Sequence, residues 1–377
     1  MLTSFDDFPV HQTPMPVAVP ASSDRNAYGR YWFGAAERSG RFIVEAAFGR
    51  YANLGVADAH LSISRGGVQD AFHASGPAPA DPASTGVGPF RLRVAEPMRH
   101  LVITIADNST GITADLEWRA RVGALEEDHT VMHDGVGRVM VDMARFLQFG
   151  TWAGQVTVDG ETTELAHADV VGVRDRSWGV RPVGAQPQGR PASQLPNAWL
   201  WAPVHFADEC RTLGYFQKPG GEIWRGDGFA IPAPDRPYDR VPQVTGHGDA
   251  GVLRLEPLGD RLTFAPGTRR VTRAEFDVRM PDGSTQTLEL EPLRHIMMKG
   301  LGYTSPEWGH GLWKGEDATG RETWKLDEAD PGDFTAQHLH HVVKARIGDR
   351  EGVGFLEQII FGPHRQYGFT ELLDGAR

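Results

Sequence analysis

The chain of 377 residues holds a single cysteine, Cys210. One thiol excludes an intramolecular disulfide framework and accords with a reducing compartment. Basic residues are in deficit: 38 Lys and Arg against 49 Asp and Glu give a formal net charge of −11. Without a cationic excess to neutralise phosphates, a nucleic-acid partner is not expected, nor is an anionic membrane surface. No apolar run approaches the roughly 18–20 residues that a membrane span needs. Met1 to Pro20 carries Asp6, Asp7 and several prolines but no basic n-region or apolar h-region, so it does not read as a signal peptide. The expected location is cytoplasmic. Gly-x-Ser-x-Gly is absent, which removes support for an esterase elbow. No phosphate-loop or dinucleotide-binding glycine pattern joins a strand to a helix. Helical periodicity is confined to one stretch, where Val139, Met140, Met143, Phe146 and Leu147 share a face and Gly150 supplies a stop. This predicts a short helix across a barrel end.

What the sequence has in quantity is hairpins. Gln155–Val158, Asp159-Gly160 and Glu161–Leu165 form one signal, because Asp-Gly suits the type I′ turn. Phe276–Met280, Pro281-Asp282-Gly283 and Thr285–Leu290 form another. His338–Ile347, Gly348-Asp349 and Gly352–Phe361 form the longest. Many short strands at close spacing point to an all-β chain of barrels or sandwiches rather than βαβ units. The length suits two domains, and a hydrophobic content of 40% lets each bury a core. Val183–Pro196, rich in Gly and Pro and without apolar periodicity, reads as the linker. The expected domains are 1–185 and 186–377, packed side by side.

The densest cluster of costly residues is Gly172-Val-Arg-Asp-Arg-Ser-Trp-Gly-Val-Arg-Pro182, followed by Trp199-Leu200-Trp201. Asp and Arg are seldom buried unpaired, so Asp175 reads either as a carboxylate among Arg174, Arg176 and Arg181 at an aromatic pocket or as a structural ion pair. The Asp-x-x-Trp-Gly turn of Asp175, Trp178 and Gly179, with Trp199 and Trp201 downstream, resembles the carotenoid 1,2-hydratase and AttH-like superfamily. Phe8-Pro9-Val10-His11-Gln12-Thr13-Pro14 and Pro306-Glu307-Trp308-Gly309-His310-Gly311 are similar to an uncharacterised bacterial branch of it. The resemblance runs from about Phe8 to Phe369. It implies two lipocalin-like domains and a hydrophobic ligand of the terpenoid, polyketide or phenolic kind that members of the superfamily handle by hydration, cyclisation or cycloaddition, and it leaves the reaction open.

In that frame Asp175 is the candidate general acid, since adding water to an alkene requires a carboxyl still protonated near neutrality. Burial against Trp178 raises its pKa, whereas ion pairing lowers it. Trp178, Trp199, Trp201, Trp308 and Trp313 are candidate pocket residues with Arg181, because an indole face steadies a cationic centre by roughly 0.5–2 kcal/mol. Trp199 and Trp201 share a strand face. His205 and His310 are candidates to orient water. His338 and His340 project from one strand face, with Glu357 on the expected partner strand. No further acid follows the pair in Val342–Arg346, so a hydrogen-bonded strand pair is expected there, with no metal and no cofactor. The expected activity is a cofactor-independent hydratase, dehydratase, isomerase or cyclase on a terpenoid, steroid or phenolic molecule; the first alternative is a non-catalytic lipocalin-like binder and the second a metal enzyme using His338, His340 and Glu357.

Overall fold

The turn residues do what their chemistry allows. Asp159 and Gly160 both adopt positive φ, 50° and 84°, and Val158 pairs directly with Glu161 across them, as a two-residue hairpin loop requires. A computed structural model of the chain describes residues 2–8, 16, 19–186, 189 and 198–377. Among these residues there is no α-helix, only short 3-10 turns between strands. None of its helices is long and apolar enough to cross a membrane.

The described residues form two antiparallel-dominated sheets. The larger runs, neighbour to neighbour, through Ala318–Lys325, Val68–Pro77, Val56–Arg65, Phe42–Tyr51, Ala27–Glu37, Val170–Val180, Val139–Val158, Ile112–Ala120, His100–Ile105, Phe90–Glu96 and Gly86–Val87. The smaller contains Ala198–Trp201, Glu209–Gln217, Val204–His205, Arg350–Ile360, Leu339–Ile347, Thr285–Met297, Val271–Arg279, Leu253–Phe264 and Ile223–Pro232. Pairing of Ile223–Pro232 with Glu209–Gln217 closes it into a barrel. The fold is all-β, with two lipocalin-like units. Two segments from beyond residue 197 join the larger sheet: Ala318–Lys325 along Val68–Pro77, and Val244–Thr245 parallel to Ala124–Glu126. Most of the expected linker, and nearly all of the Phe8–Pro14 motif, lie outside the described residues.

The helix expected at Val139–Leu147 is instead the first half of a 20-residue strand, Val139–Val158. Its backbone is paired on both sides, with Val170–Val180 on one flank and Thr130–His133, Ala124–Glu126 and Ile112–Ala120 on the other. Ladder hydrogen bonds and cross-strand packing override the local apolar spacing.

Three apolar layers result. Tyr31, Phe33, Phe48, Leu61 and Trp152 fill the first unit, and Leu200, Tyr215, Phe276, Leu288 and Leu356 fill the second. A third layer lies between the sheets, where Trp32, Leu147, Phe149, Val171 and Val173 meet Trp201, Ile296, Val342 and Phe355. The central strands are therefore buried on both faces, which explains the unbroken burial of Phe33–Glu37 and Phe42–Ala47, apolar but for Glu37 and Glu45. The candidate site opens in this middle layer.

Candidate functional site

Strand alternation separates the residues of the Arg-Asp-Arg-Ser-Trp cluster. Arg174, Arg176 and Trp178 take the inner face of the first unit. Arg174 Nη1 bonds Asp7 Oδ1 at 2.8 Å, both side chains being 0% exposed. Arg176 lies over the rings of Tyr31 and Trp178 at 4.9 and 5.1 Å. Asp175 and Ser177 face the second sheet. In register, Trp32 and Leu147 flank Asp175, and Arg30 and Arg145 flank Ser177. The arginines that face Asp175 are thus Arg145, Arg181 and Arg30, not the two beside it in sequence.

Between the sheets lies a cavity of about 380 Å³. The first unit lines it with Trp32, Arg145, Asp175, Ser177 and Arg181, and the second with Trp199, Trp201, Phe216, Asp227 and Glu357; Glu127 and Tyr303 come from connecting segments. Trp199 and Trp201 do share a face, as alternation predicts, and Gly214 lets their rings lie down. A Cβ at Gly214 would stand 2.9 Å from Trp201 and 3.0 Å from Trp199, closer than side chains normally approach. Trp201 is anchored through Nε1 to Thr212 Oγ1 at 3.0 Å, and its ring meets the edge of Trp32 with centroids 5.7 Å apart.

Burial raises the Asp175 carboxyl above its ordinary range; Arg145 and Arg181 oppose this, Glu357 adds to it and Arg30 opposes it. Burial wins because none of those guanidiniums makes a short ion pair with Asp175. Glu127 is likewise raised by burial although it pairs with Arg145. Asp227 is pushed up to about 6, by burial first and then by Glu127. Arg145 therefore sits among three carboxyls biased toward their neutral forms, with its guanidinium 5.6 Å from the Trp201 ring centroid. A cavity whose acids hold their protons more tightly than free carboxyls do, with Arg145 and Arg181 beside them and indole walls, can deliver a proton and shelter the charge that follows.

A second polar chain crosses the cavity wall. Trp32 Nε1 donates to Glu45 Oε2 at 3.1 Å, and Glu45 Oε1 is 2.9 Å from His340 Nδ1. His338 Nε2 lies 2.6 Å from Glu357 Oε1, and Trp199 Nε1 donates to Glu357 Oε2 at 2.8 Å. Burial disfavours charge on His340, but Glu45 and Glu357 outweigh it and raise the imidazole to about 10. Burial also opposes the Glu357 carboxylate, yet His340 and His338 hold it well below its usual range.

The other candidates lie elsewhere. His205 is buried beside the larger cleft of about 1590 Å³. Its Nε2 donates to Gly172 O at 3.0 Å and its Nδ1 accepts from Arg121 at 3.2 Å, so the ring is neutral and fully engaged. Burial and Arg121 depress it well below the usual histidine value. Pro203 breaks the strand between Trp201 and His205, yet the register on both partner strands is kept and the two side chains face the same intersheet layer, His205 at the far end of it from the Asp175 cavity. His310 sits behind Tyr303, with ring centroids 4.4 Å apart. It accepts from Arg181 Nη2 at 3.0 Å and donates to Leu301 O at 2.9 Å, so it orients Arg181 rather than meeting the cavity. Trp178 is turned away by strand parity and packs its edge on Phe146. Trp308 stacks on His73, ring planes 7° apart, and Trp313 is 49% exposed. Asp175, Arg181, Trp199 and Trp201 are brought together. Trp32, Glu127, Arg145, Asp227 and Tyr303 were missed. For Arg145 a strand reading of Met143, Arg145 and Leu147 would have placed it on the Asp175 face; the others carry no local signal.

A family model described as "Family of unknown function (DUF8625)" matches residues 2–370. No curated protein is matched by the sequence. Among solved structures, an AttH-like protein from Nitrosomonas europaea is similar with a TM-score of 0.51 at 12% identity, covering 90% of this chain and 94% of that one. Kievitone hydratase from Nectria haematococca is similar with a TM-score of 0.51 at 13% identity, covering 91% and 93%. The AttH-like resemblance read from Asp175, Trp178, Gly179, Trp199 and Trp201 thus holds at the level of the fold.

Proposed function

We propose that this chain, which belongs to the DUF8625 family of unknown function, is an acid-catalysed hydratase, dehydratase, isomerase or cyclase acting on a hydrophobic small molecule that carries oxygen functions. One observation carries the reading: Asp175, its carboxyl raised by burial, borders a cavity walled by Trp32, Trp199 and Trp201. At about 380 Å³ the cavity falls within the size range of small-molecule sites. Its indoles suit a ring system, while Arg145, Arg181 and Tyr303 suit hydroxyl or carbonyl oxygens. A phenolic or oxygenated polycyclic substrate fits this lining better than an unfunctionalised hydrocarbon. The fold shared with kievitone hydratase agrees with the reading without assigning the residues.

In the hydration direction, Asp175 transfers its proton to an alkene carbon, leaving a cation on the neighbouring carbon and a carboxylate on the protein. Water adds to the cation, and the proton it sheds returns to Asp175, so the net change is C=C plus H₂O. Isomerisation follows if a neighbouring carbon loses a proton to the Asp175 carboxylate before water arrives; cyclisation follows if an internal double bond first captures the cation, and the new ring cation then loses its proton to the same carboxylate. Positioned proton transfer of this kind contributes about 10²–10⁴-fold. Asp175→Asn keeps the shape and removes the acid. Lost turnover of a phenolic or terpenoid substrate with retained tryptophan-fluorescence binding supports the enzyme, whereas undiminished turnover rejects it. Binding with no turnover by the wild-type chain of any substrate in a phenolic, steroid and terpenoid panel would favour a binder.

A further inference from the structure

The strand pairing that carries the histidines also aligns a carboxylate with them. His340 stands directly opposite Glu357 on neighbouring strands, and His338, just before the strand begins at Leu339, reaches the same Glu357. One ligand-type atom from each of His338, His340 and Glu357 lies within 4.8 Å of the other two. Glu357 Oε1 is 2.6 Å from His338 Nε2 and 3.4 Å from His340 Nε2. His340 is 3% exposed, yet its Nε2 makes no hydrogen bond among the described residues. That nitrogen has only the 3.4 Å approach of Glu357 Oε1, so a cation placed between them would find both atoms available. The surroundings fix how these atoms point. Glu45 holds His340 by Nδ1, which turns Nε2 toward Glu357, and Trp199 holds Glu357 by Oε2, which leaves Oε1 facing the histidines. A carboxylate behind a histidine, and a donor on the far oxygen of an acid, are the supports that metal ligands commonly have.

We propose that His338, His340 and Glu357 bind one divalent first-row transition ion at the wall of the cavity that Asp175 borders. Two histidines and one carboxylate suit ions of the zinc, iron(II) and manganese class, and three protein ligands leave positions open to water or a ligand oxygen. For an ion about 2.0–2.1 Å from each atom, neighbouring ligand atoms stand roughly 3–3.5 Å apart. The His340–Glu357 separation of 3.4 Å already meets that, and the His338–Glu357 contact of 2.6 Å must open. His338, His340 and Glu357 all line the 380 Å³ cavity, so the open positions would face a bound molecule. This goes beyond the acid chemistry assigned to Asp175 and does not depend on it.

The full chain, stripped with a chelator and dialysed, is titrated with Co²⁺ and then Zn²⁺ by calorimetry and visible absorption. The expected result is one equivalent of Co²⁺ per chain with ligand-field bands, displaced by Zn²⁺. Glu357→Gln and His338→Gln should each weaken binding at least 100-fold. Glu45→Gln, which would touch no ion, should weaken it by about 10–100-fold. His129→Gln, at an exposed histidine, should change nothing. Circular dichroism and melting without metal report whether each variant folds; should Glu357→Gln unfold, His338→Gln decides, because it leaves the Glu45–His340 contact in place. No stoichiometric binding by the wild-type chain, or binding unchanged in every folded ligand variant, overturns the proposal. Either outcome leaves the Asp175→Asn turnover test untouched.

Discussion

Trp199 Nε1 donates to Glu357 Oε2 at 2.8 Å across the pairing of Ala198–Trp201 with Arg350–Ile360. One bond ties the aromatic wall of the cavity to its most strongly ionised acid, so the orientation of the indole and of the carboxylate are set together. Trp201 stands directly opposite the same Glu357, and His340 opposite it on the other side. The site is therefore a row across three strands rather than a loop that closes over a ligand.

Trp199→Phe keeps most of the packing and deletes the donor. It leaves Glu357 Oε2 with one partner fewer in a buried setting, and the expected loss is about 1–3 kcal/mol. Urea unfolding measures this, and a midpoint within error of wild type would show that the bond contributes nothing net.

Asp175→Asn should not destabilise the chain at pH 7–8. The raised carboxyl binds its proton more tightly folded than unfolded, so its contribution is fully present below the ordinary carboxyl pKa near 3.9 and is lost as pH rises through the folded value. Asn carries no charge to bury and removes that loss. Melting curves from pH 4 to 8 should show a shallower decline with rising pH for the variant. For the wild-type enzyme, kcat/KM should fall as pH rises through the same pKa; a flat profile would argue against Asp175 as the acid.

Arg174 and Arg145 should behave oppositely. Arg174→Met leaves Asp7 buried and unpaired, with an expected cost of about 3–5 kcal/mol, but it should not move the pH profile of turnover. Arg145→Met removes the largest influence that lowers the Asp175 pKa, so the falling limb should shift to higher pH. A shift of that limb by Arg174→Met would contradict the assignment of faces.

Acid should weaken the fold well before its exposed carboxylates titrate. Burial depresses His73 from 6.5 to about 4, so its contribution is present above pH 6.5 and is lost as pH falls through 4. The limiting slope is about 1.4 kcal/mol per pH unit for each such histidine. His73→Gln should flatten the decline in melting temperature between pH 6.5 and 4, and an unaltered slope would place the loss elsewhere.

Hairpins with Asp-Gly turns, the all-β class, the shared face of Trp199 and Trp201, and the likeness of Asp175, Trp178 and Gly179 to the AttH-like pattern are all local. Each follows from turn geometry or from a period of two, and each was legible in the chain by itself. The 139–147 stretch shows the limit of local reading. Its apolar spacing fits a helix, and only the strands that pair with it on both sides make it extended. Alternation alone turns Arg174 away from Asp175; that Arg145 and Arg181 meet it instead was decided by which strands pair and pack together, and no neighbour along the sequence carries that answer. The balance of burial against cations at Asp175, the confinement of His205 and His310 to structural hydrogen bonds, and the meeting of Glu45, His340 and Glu357 from distant segments were decided only when two sheets packed face to face. Electrostatics and ligand geometry depend on distances in space, and those distances are set by tertiary packing.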